Sequence, residues 1–258
     1  MTRGSLTVVG TGIRMGVHLT PEARAAIDAS DELLHLGADE LADQWLAGLH
    51  PRSASLSSEY AVGESREVIY ERIVERMLAP VRNGLRVTAA FYGHPGVYVR
   101  PSHEAIRRAR AEGHQARMLP AVSAEDCLFA DLGIDPATTG CASYDATDFL
   151  LRAPPIDTAS CLLLWQITVI GDPNAVAEPR LDNVPVLVER LVEHYPREHE
   201  VVVYEASPYP IAEPVIERVP LHGLPEAALT PLSTLYIPPA TVREFDRETA
   251  VRLGFSTH

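Results

Sequence analysis

The segment SSEYAVGESREVIYERI holds three side chains of types that proton-transfer chemistry uses: Tyr60, Arg66 and Tyr70. Arg66 and Tyr70 stand four apart at the head of a predicted helix, so they share one face. Tyr60 precedes that helix across a short loop containing Gly63. A phenol ionises near pKa ~10, and a neighbouring guanidinium favours the phenolate, so a Tyr–Arg pair can supply a base. The arginine keeps its charge and can also face an oxygen that gains negative charge during a reaction. The plain alternative is an exposed Arg66 stacked on a tyrosine ring.

A second group follows in FYGHPGVYV, where a buried strand breaks into a Gly-Pro-Gly turn flanked by Tyr92, His94 and Tyr98. Such a turn lets backbone approach a ligand while aromatic and imidazole groups close around it. Further on, LPAVSAED makes a second turn and opens another helix. Two ligand-facing loops at the ends of consecutive strands imply an open α/β cleft. Gly10-Thr11-Gly12 follows the first strand, but Gly16 falls one residue late for the dinucleotide fingerprint. It reads either as a generic strand-to-helix turn or as close backbone approach to a ligand lacking a pyrophosphate. His94 has no second His or acid at ligand spacing, so no metal is expected.

These groups need elements to hold them. Strands are predicted at Leu6–Gly10, Glu32–Leu36, Leu85–Tyr92 and Gln115–Leu119, with helices from Thr20, over Asp39–Leu49, Arg66–Leu78 and Ser102–Glu112. Ile69, Ile73, Met77 and Val81 give the third helix its apolar stripe, and Pro80 with Asn83-Gly84 should end it. Strand–helix alternation implies an α/β fold with a largely parallel N-terminal sheet. From Ser123 on, strands at Ala142–Leu151, Ser160–Ile167, Val201–Ala206, Ile216–Pro220 and Thr234–Pro238 come with one clear helix, Asn183–Tyr195. That texture reads as a second α/β domain with a mixed sheet. The division is 1–120, 121–240 and a short helical tail, 241–258.

Composition narrows the class. Apolar residues make up 46% of 258, which is enough for an ample core. A net charge of −13, with no stripe of Lys and Arg, argues against DNA or RNA as partner. The arginines between residues 100 and 117 fall at helical spacing and read as a solvated face. Cys127, Cys141 and Cys161 sit among apolar neighbours, as buried thiols of a reducing compartment do. No signal-peptide start or membrane-length apolar run is present, so a cytoplasmic location is expected.

Read together, SLTVVGTGI, FYGHPGVYV, ARMLPAVSAEDCLFADLGIDP and STLYIPP resemble the tetrapyrrole-methylase superfamily of S-adenosylmethionine (SAM) enzymes. The wording is most similar to the borosin peptide-backbone α-N-methyltransferases. The resemblance implies a two-domain fold with SAM folded between the domains. Carried over residue by residue, the first turn gives Tyr92, His94, Val97 and Tyr98, and the second gives Ser123 and Ala124. Gln166 in LLLWQI, Tyr204 and Ala206 in VVVYEA, and Ser233 and Thr234 in STLYIPP complete the cofactor set. Ordinary packing with a satisfied polar tip is the alternative for Tyr98, Tyr204 and Gln166.

The same resemblance makes Tyr60, Arg66 and Tyr70 a catalytic motif, with Tyr92 beside the SAM methyl. Tyr70 is the preferred base, Arg66 the electrostatic stabiliser and Tyr60 the group that orients the substrate amide. Fused borosins carry their own core peptide; this sequence ends soon after Pro239 without an apolar repetitive tail. The expectation is therefore a separate precursor peptide as substrate, acted on by a homodimer or a hetero-complex with the precursor. Methylation of a small-molecule acceptor, such as a tetrapyrrole carbon, and a non-catalytic SAM- or peptide-binding scaffold are the alternatives.

Overall fold

The computed structural model describes residues 3–174 and 179–255. Its first half alternates as expected: β1 (Ser5–Gly10), α1 (Pro21–Asp28), β2 (Glu32–Leu36), α2 (Glu40–Ala47), β3 (Ser53–Ser55), α3 (Arg66–Arg82), β4 (Arg86–Phe91), α4 (Arg100–Ala111) and β5 (Gln115–Leu119). The strands form one parallel sheet in the order β3-β2-β4-β1-β5. Thr20 and Asp39 start α1 and α2 by accepting from the backbone N–H groups of Ala23 and Ala42. Ile69, Ile73, Met77 and Val81 of α3 bury against one face of the sheet with α4, and α1 and α2 cover the other. A sheet buried on both faces explains why β1 and β4 are near-continuous apolar runs.

Pro80 does not end α3, which runs on to Arg82. The ring removes only one N–H from the ladder, close to the C-terminus, and it lies on the buried side of the helix. Arg108 of α4 reaches Glu71 at 2.5 Å, which ties α4 to α3, and Glu104 of its own helix at 2.6 Å.

The second half holds α5 (Ala124–Leu132), α6 (Pro136–Thr139), β6 (Cys141–Asp145), α7 (Ala146–Arg152), β7 (Cys161–Trp165), α8 (Val184–Val192), β8 (Glu200–Glu205), β9 (Val215–Pro220), β10 (Thr234–Ile237) and α9 (Arg247–Arg252). Its sheet runs β6-β7-β10-β8-β9, with β6 and β7 parallel and the other pairings antiparallel. The strand expected over 142–151 stops at Asp145. That carboxylate accepts from the N–H groups of Thr147 and Asp148 and starts a helix instead. The tail helix is shorter than expected and begins after its own cap, Asp246. Of the cysteines only Cys161 is fully buried; Cys127 and Cys141 are partly so. Among the described residues no helix is long and apolar enough to cross a membrane. Ile13, from the loop after β1, packs with Leu128 of α5 and with Leu163 and Tyr204 of the second sheet, so one core joins the two sheets.

Candidate active site

The turns after β1 and β4 are bound to each other before either meets a ligand. Gly12 and Gly93 exchange backbone hydrogen bonds at 3.2 and 3.0 Å. A Cβ on Gly10 would lie 2.3 Å from the Gly93 carbonyl oxygen, and one on Gly12, at φ +69, would lie 2.2 Å from His18 Cβ. Gly10 thus allows the close approach of one turn to the other, and Gly12 the fold of its own loop back onto His18. The second turn is fixed internally as well: Gly96 N–H donates to His94 Nδ1 at 3.0 Å, and His103 Nε2–H donates to the Gly96 carbonyl at 2.8 Å.

Beside this pair of turns, between the two sheets, lies a cavity of about 270 Å³. Tyr92, His94, Val97, Tyr98, Ser123, Ala124, Gln166, Ala206, Ser233 and Thr234 all line it. Tyr204 does not. It is wholly buried, and its hydroxyl donates to Asp131 of α5 at 2.7 Å. Ala206, two residues on and therefore on the same strand face, reaches the cavity at the strand end; Tyr204 lies one pleat deeper, beneath α5.

Several of the polar side chains on this wall are already engaged. Ser123 donates to Asp126 and accepts from its N–H in a capping box that starts α5. Ser233 donates to Glu205 at 2.6 Å and accepts from Thr230 N–H. A ligand there would meet mainly backbone polar groups and apolar or aromatic surface. Tyr98 and Gln166 hold left-handed backbone, at φ 56 and 59, a conformation uncommon for residues with side chains. The sequence reading missed Trp165 and Ile13, which also line the cavity. The Tyr98 ring sits 5.6 Å from that of Trp165, whose indole N–H donates to Ser143 Oγ at 2.8 Å. Ser143 in turn donates to Glu125 at 3.0 Å.

The donor set suits a SAM-sized molecule. Aromatic and aliphatic walls can take a purine ring, and no Lys or Arg lines the cavity to demand a phosphate.

Tyr60 lines a second cavity of about 480 Å³, with Leu36, Gly37, Ala38, Asp39, Glu40, Asp43 and Ser57. Its pKa is pushed up to about 12, first by burial and then by Tyr70, with Arg66 pulling the other way. Tyr60 is still 41% exposed, and with a pKa not below that of an ordinary phenol it is a neutral O–H donor at neutral pH. Arg66 is anchored from the second half of the chain: its N–H donates to the Pro173 carbonyl at 2.9 Å, and its Nε to the Asn174 carbonyl at 3.2 Å. Tyr70 packs at the edge of the first core.

Tyr92 stands where the two cavities approach each other. It lines the cleft between the sheets and also a small void shared with Gly37 and Ala38, which themselves line the Tyr60 cavity. Burial, then Cys127 and Asp39, raises its pKa well above the ordinary phenol. The Gly37–Asp39 loop between the cavities is held by Asp43, which accepts from His35 at 2.8 Å and from Gly37 N–H at 3.1 Å. Tyr209 donates to Asp39 from the other side.

Known proteins share both the sequence and this architecture. The methyltransferase/precursor of the ribosomally synthesized cyclic peptide omphalotin A, from Omphalotus olearius, is 42% identical over 244 residues, covering 92% of this chain and 58% of the relative. The corresponding gymnopeptides precursor of Gymnopus fusipes is 40% identical over 246 residues, covering 93% and 59%. The chain thus spans less than two thirds of the length of these relatives. Among solved structures, a uroporphyrin-III-C-methyltransferase from Thermus thermophilus matches with a TM-score of 0.66 at 22% identity, covering 92% of this chain and 93% of its own. The cobalt precorrin-4 methyltransferase CbiF matches with a TM-score of 0.65 at 17% identity, covering 91% and 94%. Both show the fold. Residues 5–219 match the family model for Tetrapyrrole (Corrin/Porphyrin) Methylases, and the chain belongs to that family.

Proposed function

We propose that this chain is a SAM-dependent α-N-methyltransferase that methylates backbone amides of a ribosomally made precursor peptide supplied as a separate chain. The observation that carries the reading is that Tyr60, whose phenol feels both Tyr70 and Arg66, lines a cavity that approaches the cofactor-sized cleft at Tyr92. The names of the relatives, methyltransferase/precursors of ribosomally synthesized peptides, support a peptide acceptor.

A peptide nitrogen is a poor nucleophile because its lone pair is delocalised into the carbonyl. Removing the N–H proton shifts charge onto the carbonyl oxygen, which then needs a cation or a donor. Tyr70, as general base, takes that proton; Arg66 faces the developing imidate oxygen. Tyr60, neutral at working pH, donates to the same amide and fixes its plane. Tyr92 closes the passage between acceptor and donor and keeps water out. SAM bound in the cleft would supply an electrophilic methyl on a sulfonium, with a neutral thioether as the leaving group. Tyr92, Val97, Tyr98, Trp165 and Gln166 would hold it, with Ser123, Ala124, Ala206, Ser233 and Thr234 contributing wall and backbone.

The test is incubation with SAM and a separately synthesised peptide bearing an apolar core. Tandem mass spectrometry should place single-methyl mass increments on backbone amides, and Tyr70→Phe should lower the rate about a hundredfold or more. An enzyme that binds SAM yet methylates no peptide amide, or a fully active Tyr70→Phe variant, would sink the corresponding part of this reading.

A further inference from the structure

Tyr60 sits on a loop that has little to hold it. Residues 60–64 join a single turn of 3-10 helix, Ser57–Glu59, to the capped start of α3. Val62 is 73% exposed, and no atom lies within 4 Å of where a Gly63 Cβ would stand. The loop's own backbone bonds are local: Tyr60 N–H to Ser57 and Glu64 N–H to Ala61. Yet the mechanism asks Tyr60 to stay in register with Arg66, which is pinned separately to Pro173 and Asn174.

One side chain spans both ends of this loop. Arg72, on α3, donates from Nη1 and Nη2 to the two carboxylate oxygens of Glu64, at 2.9 and 2.6 Å. Its Nη2 also donates to the Glu59 carbonyl at 2.6 Å. The residues gripped are the one before Tyr60 and the one before the Ser65 cap. The Nε is buried without a hydrogen-bond partner among the described residues, with Glu59 Oε2 3.6 Å away. A half-exposed ion pair contributes little stability, whereas a bidentate fork fixes geometry.

We propose that Arg72 is a positioning residue: by clamping Glu64 and the Glu59 carbonyl it sets the Tyr60 phenol against the Arg66/Tyr70 face. The inference rests on reading that face as the acceptor site, but its first readout does not need turnover. Arg72→Lys keeps the charge and loses the fork; Glu64→Gln keeps the shape and weakens the pair. In protein labelled with 13C at the tyrosine ring, the Tyr60 signal is the one absent from Tyr60→Phe.

In both variants that signal should move toward the solvent-exposed tyrosine position, and its phenol should titrate at lower pH. The melting temperature and SAM affinity should stay as in wild type. With a peptide acceptor, kcat should fall about tenfold, as misplacement of an orienting group does. A Tyr60 signal unmoved in folded Arg72→Lys and Glu64→Gln overturns the clamp, whatever the enzyme methylates. A wild-type enzyme that methylates no peptide overturns the acceptor reading instead, and the position of the Tyr60 signal still decides the clamp.

Discussion

Gln166 carries strain at a place where strain can be used. It follows β7 directly, holds φ 59, and lines the cleft beside Trp165. Tyr98, the other non-glycine wall residue at positive φ, faces the same space. Left-handed backbone costs a residue with a Cβ about 1–2 kcal/mol, and such outliers persist where the surroundings over-determine them. Gln166→Gly removes that strain together with the amide that faces the cleft. The expected result is a stability within about 1 kcal/mol of wild type, because relief of strain offsets the added chain entropy. The affinity for SAM or S-adenosylhomocysteine should nevertheless fall at least severalfold, read by calorimetry. If affinity is retained, Gln166 belongs to the turn and not to the site.

At the scale of elements, two glycines that end an element have different work. Gly10 stands where β1 gives way to its turn, and an added Cβ would meet the Gly93 carbonyl, Ala121 and Pro95. Gly133 ends α5 at φ +66 with open space around it. Gly10→Ala must separate the two turns that support the cleft, a cost of about 1–3 kcal/mol, with S-adenosylhomocysteine binding lost or much weakened. Gly133→Ala should cost about 1 kcal/mol and leave that binding intact. Equal effects on binding would mean that the turn pair does not support the cleft.

The strands and most helices were legible because their signals are local: apolar runs for strands buried on both faces, and Thr20, Asp39 and Ser65 as caps. What local pattern could not carry was depth and cross-packing. Tyr204 and Ala206 share a face, but only the tertiary position of α5 tells which of them reaches the cavity. Trp165 in an all-apolar strand reads as core until Tyr98, from the other sheet's turn, is seen tilted against it. Arg72 was invisible for the same reason, since its partners come from the loop folded back over its helix. The resemblance brought Val97, Ser123 and Ala124 into view, though spacing alone gave them no chemistry.

Taken as a whole, the molecule keeps its deeply buried phenols around the second sheet. Tyr195 lies in one core of that sheet, 2% exposed, with a hydroxyl that has no hydrogen-bond partner among the described residues. Tyr204 and Tyr236 lie in the other core, which also packs against Ile13. Burial, first among the causes, pushes Tyr195 and Tyr236 up to about 12 and Tyr204 higher still. An unfolded tyrosine ionises near pKa ~10, so the folded state holds these protons more tightly. Their contribution is therefore complete below pH ~10 and is lost as pH rises through the folded values. Holding a proton about tenfold more tightly in the folded state is worth about 1.4 kcal/mol, so two such tyrosines can remove about 3 kcal/mol of a marginal stability.

The urea midpoint should hold between neutral pH and pH ~9 and fall steeply by pH ~11, with tyrosinate absorbance from the buried phenols rising only as the chain unfolds. Because one core joins both sheets through Ile13, the cleft should be lost in the same transition, and bound S-adenosylhomocysteine should delay it. Phenols that all ionise near pH ~10 in a protein still folded would show that the second sheet is open to solvent, and the cleft walls with it.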